Sequence, residues 1–153
     1  TAWTTCERGD WMLWIAKRQN VDIKKITAAK VGCARLVQHL MKDERSLAAL
    51  DVAERFSQGL ATREELSVAA SVAAYIADVV GADFAANAAA YVAANAADVA
   101  ATYADDDAAY TATVAAYIAV ADIASARKDI LRKCADITRK FISYNDLNIP
   151  EGE

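Results

Sequence analysis

The chain reads as all-α: a single-domain bundle of about six to seven helices, with room for one long C-terminal helix. Three observations predict this. One proline and five glycines in 153 residues leave too little punctuation for a strand-rich or collagen-like chain. Alanine, the best helix former, supplies 37 residues, 27 of them between positions 69 and 126. Apolar residues recur at helical spacing, and with 56% hydrophobic residues and a net charge of −4 the chain can fold rather than stay disordered. The domain is expected over residues 1–146, with 147–153 a disordered or extended tail. The start at Thr1, without a methionine, points to a trimmed or fragmentary chain.

The elements follow in order. Thr4 and Glu7 have capping-box spacing and open a segment running to about Arg18. Asn20, Val21 and Asp22 make a turn, with Asp22 as N-cap of a second helix. That helix carries Ile23, Ile26, Cys33, Leu36, Val37 and Leu40 on one stripe, while Lys24, Lys25, Lys30, Arg35 and Lys42 fall mostly outside it. Asp43 can cap a third helix that ends at Gly59, a natural C′ residue. Thr62 and Glu65 form a second capping box, and that helix is expected to stop at Gly81. Asp83 caps the next helix, to about Ala104, and Asp105, Asp106 and Asp107 start the last. From there to Ile142 nothing forces a stop. Such a helix would span ~54 Å against a radius of gyration near ~15 Å, so it breaks near Ser125 or the molecule is elongated. The closing segment has an apolar seam of Val120, Ile123, Ile130, Cys134, Ile137 and Phe141. Its outer side carries Lys128, Asp129, Arg132, Lys133, Asp136, Arg139 and Lys140.

The alanine-rich middle divides by angle at 100° per residue. Between 83 and 104 one wide arc is entirely alanine, and the opposite arc holds Asp83, Phe84, Asn87, Tyr91, Asn95, Asp98 and Thr102. Flat alanine faces suit close helix–helix approach, near ~8 Å between axes. The polar arc is then left for solvent or for a partner. Residues 69–126 hold seven aspartates and no lysine or arginine, so a partner met here should be basic. The candidate partner-binding residues are Asp83, Asn87, Tyr91, Asn95, Asp98, Asp105, Asp106 and Asp107. Tyrosines would give rigid contact area and aspartates would steer. Basic residues elsewhere are interleaved with acids, so a nucleic-acid footprint is weak.

Catalytic and metal signatures are poor. Three cysteines, Cys6, Cys33 and Cys134, are widely spaced, and His39 is the one histidine, so neither zinc nor any other metal or cofactor is expected. The thiols read as small buried hydrophobes in a reducing cytosol. His39, beside Leu40 and Met41, reads as a buried or half-exposed structural histidine rather than a base. Asp51 and Glu54, one turn apart, read as a solvated face rather than an acid–base dyad. Asp105, Asp106 and Asp107 lack the EF-hand spacing, and no glycine belongs to a phosphate-cradling loop. No catalytic residues are therefore assigned and the chain is expected not to be an enzyme. The longest uncharged runs reach 14 residues, short of the ~20 a bilayer needs, so no membrane association and a cytoplasmic location are expected.

The most distinctive stretch is Trp3, Thr4, Thr5, Cys6, Glu7, Arg8, Gly9, Asp10, Trp11, Met12, Leu13, Trp14. Trp11, Leu13 and Trp14 read as core anchors of a first helix. Gly9, about 1 kcal/mol unfavourable in a helix, allows close approach of another backbone. Arg8 and Asp10 read as partly buried and paired, with each other or with distant charges. This run, with Cys6, Arg8, Gly9, Asp10, Trp11 and Trp14 as its core, resembles the opening signature of immunity family five, from bacterial polymorphic toxin loci and phage relatives. The resemblance continues through Thr27 to Lys30, Cys33 to Arg35, Met41 to Ser46, Gly59 to Leu66 and Lys133 to Phe141, and so covers nearly the whole chain. It implies an all-helical, non-enzymatic protein that binds a cognate toxin and blocks it. Two alternatives stand beside it. One is a phage counter-defence protein that binds a host defence protein or sequesters its nucleotide signal, for which free Lys or Arg at helix ends would be needed. The other is a structural helical homo-oligomer.

Overall fold

In a computed structural model residues 1–79 and 124–149 are described, with side chains up to Tyr75 and from Lys128 onward. These residues are all-helical, as a helical bundle requires. The α-helices are α1 (Ala2–Thr5), α2 (Gly9–Arg18), α3 (Ile23–Arg35), α4 (Glu44–Ser57), α5 (Arg63–Val79) and α6 (Ala124–Phe141). Short 3₁₀ helices cover Gln38–Leu40 and Tyr144–Asp146. The expected stop at Gly81, the break near Ser125, Val120, Ile123 and the alanine arcs concern stretches outside or at the edge of the described residues.

Local chemistry sets most boundaries. The Asp22 carboxylate accepts from the Lys24 N–H at 2.9 Å, and Asp43 does the same for Arg45 at 2.9 Å. Thr62 and Glu65 cap each other reciprocally, at 2.7 and 3.1 Å, just before α5. Gly59 ends α4 with φ +77°, and Asn20 makes the α2–α3 turn at φ +54°, a conformation asparagine tolerates.

Two elements differ from expectation. The first helix is interrupted: its capping box lies one turn earlier, between Thr1 and Thr4, and the backbone turns extended at Cys6 before α2 begins. The second helix ends at Arg35, and the chain tightens into i→i−3 hydrogen bonds from Leu36 to Met41. The expected stripe still turns inward, because Val37 is buried and Leu36 and Leu40 pack on the core. Lys30, expected mostly outside it, is buried at 4% exposure.

α3 lies at the centre and buries both faces. One joins α4 and α5 through Val31, Ala34, Val37, Leu50, Ala53, Phe56, Leu66 and Ala73. The other joins α1, α2 and α6 through Trp3, Met12, Leu13, Ile26, Cys33, Cys134 and Ile142. Ile130 packs against both clusters. The seam of α6 departs from expectation at its end. Phe141 is 43% exposed and Ile142 takes the inward place, because the helix stops there and the chain turns. Beyond the last 3₁₀ turn Leu147 is extended and buried, and Ile149 packs on the same cluster. Among the described residues no helix is long and apolar enough to cross a membrane.

Candidate interaction surface

The N-terminal motif divides between the two faces of α2. Gly9 and Asp10 point inward with Met12, Leu13 and Ala16. Trp11 is 58% exposed and Trp14 36% exposed, so neither is the core anchor its size implies. The helical phase explains this. Met12, Leu13 and Ala16 occupy the core stripe, which leaves Trp11, Trp14 and Arg18, at i, i+3 and i+7, on the outer one. The buried tryptophan is Trp3, whose indole N–H donates to the Ile142 carbonyl at 3.2 Å.

Each exposed ring is held by an arginine. The Arg8 guanidinium lies 4.5 Å from the Trp11 ring centroid, and that of Arg18 lies 4.4 Å from Trp14. Arg8 is itself fixed from below. Asp10 accepts two hydrogen bonds from it, at 2.9 and 2.6 Å, in the forked geometry that orients a guanidinium plane. The Asp10 side chain is 7% exposed and that of Arg8 44%, so the carboxylate serves as the inner anchor. Its hydrogen bond raises the Arg8 pKa above the usual guanidinium range. Gly9 makes the packing possible: a Cβ there would lie 2.5 Å from the Cys134 Cβ and 2.6 Å from the Ala135 nitrogen.

Arg139 of α6 completes the support. Its guanidinium donates to the Trp3 carbonyl at 3.1 Å and the Cys6 carbonyl at 2.7 Å, and it pairs with Asp136 at 2.7 Å. These bonds satisfy carbonyls that α1 leaves open at its end, and they set the angle at which α2 departs. Cys6 is half-buried, with its thiol toward the Arg8 carbonyl at 3.6 Å. The sequence did not single out Arg18, and it placed Arg139 only on the outer side of the closing helix. The signal for Arg18 was its i, i+4 spacing from Trp14.

Other candidate features resolve differently. A groove of about 430 Å³ runs past Ala28, Val31, Gly32 and Phe141 with charged side chains around it. Most of those charges answer each other: Lys25 meets Asp146 at 2.6 Å, and Arg35 meets Asp51 at 2.7 Å and Glu54 at 3.1 Å, while Lys24 forms no ion pair among the described residues. Asp51 and Glu54 are thus a clasp for Arg35. His39 is exposed in its 3₁₀ turn, not buried or half-exposed. Among the described residues no three His, Cys, Asp or Glu side chains gather as metal ligands. Asp83, Asn87, Tyr91, Asn95, Asp98, Asp105, Asp106 and Asp107 lie outside the described residues.

The described part of the chain is therefore an all-helical protein that carries a pair of arginine-clamped tryptophans on the outer face of α2. Neither a family model, nor a curated protein, nor a solved structure matches the chain.

Proposed function

We propose that the chain is a non-catalytic binding protein that neutralises a toxin or another effector by stoichiometric contact. The observation that carries this reading is the clamped pair Trp11 and Trp14. Exposed tryptophan and arginine are the residue types that dominate binding energy at protein interfaces. Here the rings are already held by Arg8 and Arg18. Much of the side-chain freedom that association normally removes, ~0.5–1.5 kcal/mol per side chain, is therefore lost beforehand. The aspartate-rich middle, with no basic residue between 69 and 126, adds long-range attraction for a basic partner. The likeness of residues 3–14 to immunity family five points the same way, and reducing cytoplasm is the setting that fits it.

The test is genetic and then physical. Each gene flanking that of this chain is expressed alone, and one whose product arrests growth is co-expressed with the chain. The expected outcome is restored growth and a 1:1 complex in light scattering. Trp11→Ala with Trp14→Ala should weaken that complex by about 30-fold or more. Asp83→Lys with Asp98→Lys should slow its formation. A chain that self-associates through the same tryptophans and binds no growth-arresting protein would overturn the reading.

A further inference from the structure

The turn between α2 and α3 borders a second cavity, of about 280 Å³, lined by Lys17, Asn20, Val21, Ile23, Ile26 and Arg63. Val21 and Ile26 are its buried apolar part. Lys17 stands in the last turn of α2 and Arg63 is the first residue of α5, so two separate elements each bring one cation to it. Among the described residues neither side chain makes an ion pair or a hydrogen bond. Lys24, Lys128 and Lys140, all exposed, share this state among the described residues. Arg8, Lys25, Arg35, Arg45, Arg55, Arg132, Lys133 and Arg139 all face a carboxylate.

Among the described residues no carboxylate lines the cavity. Of the acids near in sequence, Asp22 caps the Lys24 N–H at 2.9 Å, Glu65 accepts from the Thr62 N–H at 2.7 Å and faces Arg55 at 3.6 Å, and Glu64 does not line the cavity. Two of the carbonyls at the end of α2 are occupied as well. The Val21 N–H donates to the Ala16 carbonyl at 3.0 Å and the Asn20 N–H to that of Lys17 at 3.1 Å. What remains is a concave site where two positive charges meet no counter-charge among the described residues.

We propose that this cavity binds a small soluble phosphate monoester. At neutral pH a monoester carries ~1.5–2 negative charges and several strong acceptor oxygens, which matches two cations; a carboxylate would leave one of them unanswered. Arg63 supplies a planar fork of donors suited to phosphate, Lys17 a compact point charge. The Asn20 amide, without a side-chain hydrogen bond among the described residues, is a third donor. Size narrows the ligand. The cavity, at about 280 Å³, lies at the lower edge of the ~300–1,000 Å³ usual for small-molecule pockets, so it takes a phosphate with a short polar head and not a dinucleotide. The assignment is independent of the protein-binding role of the tryptophans.

The experiment titrates the intact chain with inorganic phosphate and with glycerol phosphate at constant ionic strength, read by ³¹P line width and amide chemical shifts. Saturable binding with half-saturation near about 1 mM is expected. Lys17→Gln and Arg63→Gln should each weaken it tenfold or more, and the double variant should abolish it. Lys128→Gln, at an exposed site on α6, should bind as the wild type does. The two cavity side chains make no ion pair or hydrogen bond that substitution removes among the described residues, so the melting temperatures should stay unchanged. A linear, non-saturable response, or equal affinity in the cavity variants, would overturn the proposal. A phosphoserine peptide binding tenfold more tightly than glycerol phosphate would also overturn it, by assigning the site to a protein ligand.

Discussion

Two glycines make the same nominal clash but predict different outcomes. A Cβ at Gly9 would sit 2.5 Å from the Cys134 Cβ, 2.6 Å from the Ala135 nitrogen and 2.7 Å from the Cys134 carbonyl carbon. Two of these three atoms are backbone of α6, so no rotamer change can clear them. Only a separation of α2 from α6 can, and that loosens the packing of Leu13 and Cys134, both fully buried. Overpacking of this kind costs ~1–3 kcal/mol. The propensity gained by alanine is small here, because Gly9 is the first residue of its helix. Gly9→Ala should therefore destabilise by about 2 kcal/mol, lowering Tm by roughly 4–8 °C for a chain of this length. At Gly32 the Cβ also comes within 2.5 Å, but of Ile137 Cγ2, with no backbone atom among its near neighbours. That side chain can yield, and Gly32 is interior to α3, where alanine gains ~1 kcal/mol. Gly32→Ala should then fall within about 1 kcal/mol of wild type. Urea unfolding followed by circular dichroism reads both, with unchanged slopes confirming that only stability moved. A Gly9→Ala protein as stable as Gly32→Ala would show that α2 and α6 do not approach this closely.

Three further outcomes are expected. Ser46 is 1% exposed and its hydroxyl has no hydrogen-bond partner among the described residues, so Ser46→Ala should raise the urea midpoint, by up to about 1 kcal/mol in stability. Asp43, hydrogen-bonded to the Arg45 side chain and N–H, is held at about 2, below the ordinary 3.8. A carboxylate depressed on folding contributes stability that is whole above its unfolded pKa and disappears as pH falls through the folded value. Wild type should thus lose more stability between about pH 4 and 2 than Asp43→Asn does, and parallel pH profiles would refute the cap. The Cys134 thiol and burial together push Cys33 well above the usual thiol range, and Cys134 is fully buried. Ellman's reagent should therefore leave both unreacted until the chain unfolds, with Cys6 reacting first.

How far the sequence foretold this molecule depends on the reach of each interaction. The Asp22, Asp43 and Thr62–Glu65 caps and the Gly59 stop were legible because partner and signal lie within three residues of each other. The break between α1 and α2 was not, since the group that holds it, Arg139, lies 133 residues from Cys6. Trp11 and Trp14 were misplaced because size suggested burial, whereas Met12, Leu13 and Ala16 had already fixed the helical phase. The pairing of Lys17 with Arg63 around one cavity needs α5 folded beside the α2–α3 turn, which no local pattern encodes. The aspartate-rich arc from Asp83 to Asp107 remains a reading of composition and angle.

The inner half of the N-terminal motif explains its outer half. Trp11 presents its face because Arg8 lies on it, Arg8 lies there because Asp10 holds its fork, and Asp10 is buried because α2 is drawn against α6 at Gly9. Arg139 closes the chain of causes. It was expected on the outer side of the closing helix, and its ion pair with Asp136 is there, but its guanidinium also reaches the Trp3 and Cys6 carbonyls. A long arginine side chain can serve both places at once. A relative that kept the two tryptophans but lost Gly9, Asp10 or Arg139 would keep the rings and lose their geometry. Likeness in this motif therefore carries functional weight only when the buried positions match along with the aromatic ones.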